Sequence, residues 1–176
     1  MRKVEVLPYD PRWKSRFSEE AEALRVVLGD QCLAVHHIGS TAVEGLAAKP
    51  VIDLMPTVKD IHEIDKLNRQ FESLGYEVKG ENGIPGRRYL QKGGDARTHH
   101  VHIYEAGSPE IRRHLAFRDY LRKHPAEAEV YGNLKLQLAA AFPWSIEQYI
   151  AGKEAVATSI EKRALAEFGG EKHFMD

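Results

Sequence analysis

Three groups of residues in this 176-residue chain have types and spacings that chemistry could use. The first is His37-Ile38-Gly39-Ser40-Thr41, with Lys49 shortly after it. A Gly-Ser pair where a strand runs out leaves the backbone open to close approach, so N–H groups and the Ser40 hydroxyl can bind a phosphate oxygen, and Lys49 adds charge. On its own, Gly-Ser-Thr is more often an ordinary tight turn, because short motifs match by chance. The second is Asp53, a carboxylate interrupting the apolar run Val51-Ile52-Asp53-Leu54-Met55. An unpaired charge there would be costly, so Asp53 needs a cation, a histidine or an arginine beside it. Metal-assisted phosphoryl transfer calls for a carboxylate fixed on a rigid strand, and a structural salt bridge is the plainer alternative. The third is Thr98-His99-His100-Val101-His102-Ile103. On a strand, His100 and His102 share a face, where with a carboxylate they could hold Zn, Fe, Ni or Mn, or act as packing and hydrogen-bonding imidazoles.

Several cations could serve these groups: Arg87 and Arg88, then Arg112, Arg113 and Arg118 on a helical stretch, and Lys135 four residues after Tyr131. Most such side chains are solvated. Lys135 adjoins an apolar stripe, which makes it the best candidate to grip a triphosphate, with one of the arginines beside it.

The elements that must position these residues follow from periodicity. Val4–Leu7 is expected as a short strand; Asp10-Pro11 opens a helix whose Phe17, Ala21, Leu24 and Leu28 mark one face before Gly29 stops it. Cys32–Ile38 and Pro50–Val58 are expected strands, and Ile61, Ile64, Leu67, Phe71 and Leu74 keep helical spacing. Tyr76–Val78, Arg87–Gln91 and Thr98–Glu105 are further strands, and the short Gly-rich connections predict antiparallel pairing among them. From Ser108-Pro109 onward the pattern is helical, broken at Pro125 and weakened at Gly152. These elements make an α+β protein: a mixed β-sheet core with flanking helices over 1–107, a C-terminal helical subdomain over 108–169, and a disordered tail over 170–176.

Composition narrows the partners. With 43% hydrophobic and 29% charged residues and a net charge of −1, the field of the whole molecule favours neither nucleic acid nor a membrane surface. A lone Cys32, no apolar leader in Met1–Glu5 and no run of about 18 apolar residues make the cytoplasm the expected compartment.

Gly39-Ser40 followed by Asp53 resembles the nucleotidyltransferase superfamily that includes DNA polymerase beta and the aminoglycoside nucleotidyltransferases. More closely, His37–Val43, Gly45–Asp53, His99–His102, Phe117–Arg122 and Tyr131 with Leu134-Lys135 resemble the GrpB family across nearly the whole chain. The resemblance implies a nucleotidyltransferase-like fold that takes a nucleoside triphosphate and an unknown acceptor, with a divalent metal, Mg or Mn first. It implies Asp53 and Ser40 at the reaction; His37, Gly39, Ser40, Lys49, Arg87, Arg118 and Lys135 around the nucleotide; and Asp53, His100 and His102 on the metal. Met55 departs from the superfamily, because a second carboxylate is expected two residues after the first. Some GrpB relatives are joined to dephospho-CoA kinase, and this chain has no Gly-x-x-x-x-Gly-Lys-Ser/Thr run. The competing reading is therefore a non-catalytic binder of nucleotides or phosphometabolites, or an accessory to a partner enzyme.

Overall fold

The structure, a computed structural model, describes residues 2–170; 171–176, most of the expected tail, lie outside the described residues. The chain forms two compact units, and neither is continuous in sequence.

The sheet unit comprises residues 12–38 and 51–111. Its first helix, α1 (Arg12–Leu28), buries Trp13, Ala21, Leu24 and Leu28, a three-to-four-residue spacing that lays one face on β1 (Cys32–Ile38) and β2 (Ile52–Val58). The helical spacing from Ile61 to Leu74 becomes two short helices, α2 (Ile61–Ile64) and α3 (Asn68–Ser73), parted by a 3-10 turn at Asp65–Leu67. At that break Asp65 accepts two hydrogen bonds from Arg88, at 2.7 and 3.1 Å. Then come β3 (Tyr76–Val78), β4 (Arg88–Lys92) and β5 (His99–Glu105). The sheet order is β1-β2-β5-β4-β3. The pairs β3–β4 and β4–β5 are antiparallel, as their short connections predict; β2 and β5, far apart in sequence, pair in parallel at the centre.

The helical unit takes residues up to Pro11, Gly39–Pro50, and the chain from Arg112 onward. It holds most of α4 (Pro109–Lys123), α5 (Pro125–Ala141) and α6 (Ile146–Phe168). The linear division at 107/108 therefore does not hold, and the reason is apolar packing. Val43 and Leu46 join Ala116, Tyr120, Leu121, Ala128, Tyr131, Ile160 and Ala164 in one core. The N-terminal segment is tied here too, by the Val4 N–H on the Pro143 carbonyl at 2.8 Å and a bridge between Leu7 and Ala48. Only that bridge replaces the strand expected over Val4–Leu7. Gly152 does not break α6, because it lets α5 approach: a Cβ there would lie 2.4 Å from Leu138 Cδ2. Among the described residues no helix is long and apolar enough to cross a membrane.

Candidate functional site

In the sheet unit, strand register decides which side chains meet. Asp53 pairs with Ile38 on one side and His100 on the other, while Tyr89 faces His102 and Gln91 faces His100 across β4–β5. Because side chains alternate, Asp53, His100, His102, Tyr89 and Gln91 share one face of the sheet. His37 pairs with Leu54, one step out of phase with Asp53. It therefore lies on the opposite face, buried and stacked on Phe17 of α1 at 4.6 Å between ring centroids. His37, expected in the nucleotide-binding group, is thus on the face of the sheet opposite Asp53.

The Asp53 cluster is a hydrogen-bonded network. Asp53 Oδ1 lies 3.1 Å from His102 Nε2 and 3.5 Å from His100 Nδ1. The far nitrogen of each ring meets an arginine: His102 Nδ1 is 3.4 Å from Arg87 Nη1, and His100 Nε2 is 3.2 Å from Arg97 Nη1. Arg97 also donates to Gln91 Oε1 at 2.8 Å and to the Gly94 carbonyl at 3.0 Å. Arg87 is buried, lies over the Tyr89 ring, and donates to the Glu81 and Asn82 carbonyls at 3.1 and 2.8 Å. Burial alone would raise the Asp53 pKa, but the hydrogen bonds from His100 and His102 and their positive charge outweigh it and hold the carboxyl well below its ordinary range.

The expected metal ligands thus come together with Asp53 Oδ1 already engaged by both imidazoles. Among the described residues no group of three His, Cys, Asp or Glu is arranged to hold a metal ion. Met55, on the Asp53 face two residues on, is fully buried and supplies no second carboxylate.

The helical unit carries the Gly-Ser motif. Gly39 has φ 72° and ψ −172°, a region open essentially to glycine alone, and it leads into a 3-10 turn at Ser40–Ala42. Arg122 anchors that turn by donating to the Ala42 carbonyl from Nε at 3.0 Å and Nη2 at 2.7 Å. Lys135, on α5 and only 3% exposed, donates from Nζ to Ser40 Oγ at 2.8 Å and sits over the Tyr131 ring at 4.8 Å. Lys49 and Lys153 both lie over the Tyr149 ring, at 5.4 and 5.8 Å. Burial first, then the charges of Lys153 and Lys49, pull the Lys135 pKa down to about 7. Burial also pushes the Tyr131 hydroxyl up to about 12.

Within this unit the structure gathers Gly39, Ser40, Lys49 and Lys135. Arg118 instead pairs with its neighbour Asp119 at 2.8 Å. Sequence reasoning missed Arg97 and Lys153. Arg97 follows the Gly93-Gly94 turn and reads as a solvated loop residue, and Lys153 sits on a helical stretch in which no site residue is expected from the sequence.

The sequence profile of the GrpB protein family matches residues 3–163. The UPF0157 protein YqkA of Bacillus subtilis is 52% identical over 93% of this chain and 48% of its own length; UPF0157 protein PA4798 of Pseudomonas aeruginosa is 42% identical over 93% of this chain and 69% of its own. The chain thus spans about half the length of the first relative and about two-thirds of the second. The crystal structure of conserved protein GrpB from Enterococcus faecalis superposes with a TM-score of 0.91 at 52% identity, covering 94% of this chain and all of that one. The Cid1 poly(U) polymerase in its MgGTP-bound form matches at a TM-score of 0.50 and 16% identity, over 74% of this chain and 43% of that one, a likeness of fold alone. With the family profile and these relatives in agreement, the chain belongs to the GrpB family and has a nucleotidyltransferase-like fold.

Proposed function

We propose that this protein binds a nucleoside triphosphate and transfers its nucleotidyl group to an acceptor. The observation that carries the reading is Lys135: a buried amine held 2.8 Å from the Ser40 hydroxyl, with Lys49 and Lys153 close enough for their charges to act on it. A buried ammonium beside two further amines is costly, and a polyphosphate would supply negative charge to all three. Ser40, Lys49, Lys135 and Lys153 are the phosphate-binding group in this reading. By residue type Asp53 is the carboxylate assigned to the transfer, in which the acceptor forms its bond to the phosphorus of the reacting phosphate as pyrophosphate leaves. By residue type Asp53, His100 and His102 would hold a divalent cation, Mg or Mn with Zn, Fe or Ni as alternatives, which would neutralise charge on that phosphate.

The test is thermal stability of the purified protein and of Lys135→Met with ATP, CTP, GTP or UTP, each with Mg²⁺, Mn²⁺ or chelator. A nucleotide at 100 times its dissociation constant stabilises by about 2.7 kcal/mol, a shift of a few degrees. Stabilisation lost in Lys135→Met supports the reading; no shift with any nucleotide overturns it.

Met55 favours a second reading, in which the protein binds nucleotide without turning it over, since β2 carries a single carboxylate, Asp53. Two mycobacterial relatives named dephospho-CoA kinase, 27% identical over 85% of this chain and 43% of their own length, suggest an accessory role beside a partner enzyme. Binding without pyrophosphate release across an acceptor screen favours this reading.

A further inference from the structure

We propose that Asn82-Gly83 is a self-modifying site: the Gly83 nitrogen attacks the Asn82 side-chain amide, water opens the resulting ring to isoaspartate, and the change draws Arg87 off Tyr89 and His102.

The chemistry needs an asparagine followed by a residue with no side chain, on a turn open to water. Of Asn68, Asn82 and Asn133, only Asn82 precedes a glycine, and both residues of that pair are exposed. The Ile84 N–H closes the turn on the Glu81 carbonyl at 3.2 Å, with Asn82 at φ 48° and Gly83 at φ 89°, the paired positive values of a type I′ turn. Asn82 is the one non-glycine residue with positive φ among the described residues. The Gly83 N–H has no backbone acceptor among the described residues, so no hydrogen bond of that kind holds its nitrogen back. Asn68 and Asn133 lie instead in α3 and α5, followed by Arg69 and Leu134, whose side chains crowd the same approach.

Water is the only co-reactant. A bond forms between the Gly83 nitrogen and Asn82 Cγ, the bond from Cγ to its amide nitrogen breaks, and ammonia leaves with the Gly83 amide proton. Water then opens the five-membered imide on one side or the other. Opening at Cγ gives aspartate. Opening at the Asn82 main-chain carbonyl gives isoaspartate, with the chain rerouted through Cγ and the former carbonyl freed as a carboxylate.

That carbonyl is an anchor. Arg87 Nη2 donates to it at 2.8 Å and Nε donates to the Glu81 carbonyl at 3.1 Å. So held, the buried guanidinium lies 4.9 Å from the centre of the Tyr89 ring and 3.4 Å from His102 Nδ1. Isoaspartate adds one carbon to the main chain, which breaks the spacing of the Glu81–Ile84 turn, and it turns a neutral acceptor into a charged one, roughly twice as strong. The guanidinium follows the carboxylate into the loop.

The test ages the full chain at neutral pH in heavy-oxygen water and maps it by peptide mass spectrometry with isoaspartyl methyltransferase labelling, beside fresh protein, Asn82→Gln and Asn82→Asp. Methyl label and heavy oxygen should appear at residue 82 and not at 68 or 133. Asn82→Gln, whose longer amide would have to close a six-membered ring, should lose the label. In the aged protein the aromatic NMR resonances of Tyr89 and His102 should move. In Asn82→Asp, which adds the charge but keeps the main-chain carbonyl on Arg87, they should stay close to those of fresh protein. Residue 82 left unlabelled, or label reaching 68 and 133 to the same extent, overturns the proposal. Tyr89 and His102 resonances unmoved in the isoaspartate fraction overturn it equally.

Discussion

Lys135 donates to the Ser40 hydroxyl across 2.8 Å, joining the middle of α5 to the turn that follows Gly39. The amine is buried, and its pKa stands at about 7, well under the value near 10.4 it takes in an unfolded chain. Between those values the unfolded chain holds a proton that the folded protein lacks, so the Lys135 contribution to stability rises as pH climbs from about 7 towards 10. Nucleotide binding should run the other way, because phosphates favour the ammonium: affinity falls as pH rises through about 7. Calorimetric titrations with ATP at pH 6, 7 and 8 check the direction, and Lys135→Met should flatten the dependence.

Lys135→Met should also separate stability from function. Replacing a buried amine by an apolar chain of similar length removes its desolvation cost, so the free protein should melt at a higher temperature while ATP binding weakens. Paired melting curves with and without ATP would show both changes in one experiment.

Asp53→Ala leaves two imidazole N–H groups without their shared acceptor, a loss of about 1–3 kcal/mol. Since the Asp53 pKa is depressed by folding, its stabilisation is complete above the unfolded value near 3.9 and fades as pH falls further. Urea unfolding of wild type and variant should therefore differ most above about pH 4, and the difference should shrink progressively as pH falls further, towards the much lower folded value.

Gly39→Ala forces a side chain into a backbone region that costs on the order of 1–3 kcal/mol. It should lower the melting temperature and abolish nucleotide stabilisation together, because Ser40 is the next residue. Ser40→Ala, which leaves the backbone alone, should weaken nucleotide binding with little change in the melting temperature of the free protein.

Gly152→Ala gains about 1 kcal/mol in helix propensity yet sets a methyl 2.4 Å from Leu138 Cδ2, and overpacking of that kind costs about 1–3 kcal/mol. The net expectation is a small loss of stability by urea denaturation. Leu138→Ala in the same chain should recover part of it, and the two substitutions should be non-additive.

What could be read from the sequence was whatever a local pattern encodes. A carboxylate in an apolar strand and histidines at alternate positions identified Asp53, His100 and His102, and the spacing of Tyr131 and Lys135 placed the amine beside the aromatic stripe. The face occupied by His37 was not local information. It depends on the register of β1 against β2, and a one-residue step turns a side chain to the other side of the sheet. Arg97 was hidden because a loop residue's target is set by the strands it folds back upon. The two units were hidden because Gly39–Pro50 reads as a connection between strands, although Val43 and Leu46 find their apolar partners on helices more than 60 residues later.

That interleaving bears on synthesis at the ribosome. The residues that close the sheet unit are all available once the chain reaches Ile111, whereas the Gly39–Pro50 segment, made early, has to wait for α4, α5 and α6 before its apolar side chains are covered. A nascent chain stalled between β5 and α6 would therefore display a formed sheet and a sticky, unsheltered loop, the combination that chaperones recognise and that makes truncated products aggregate.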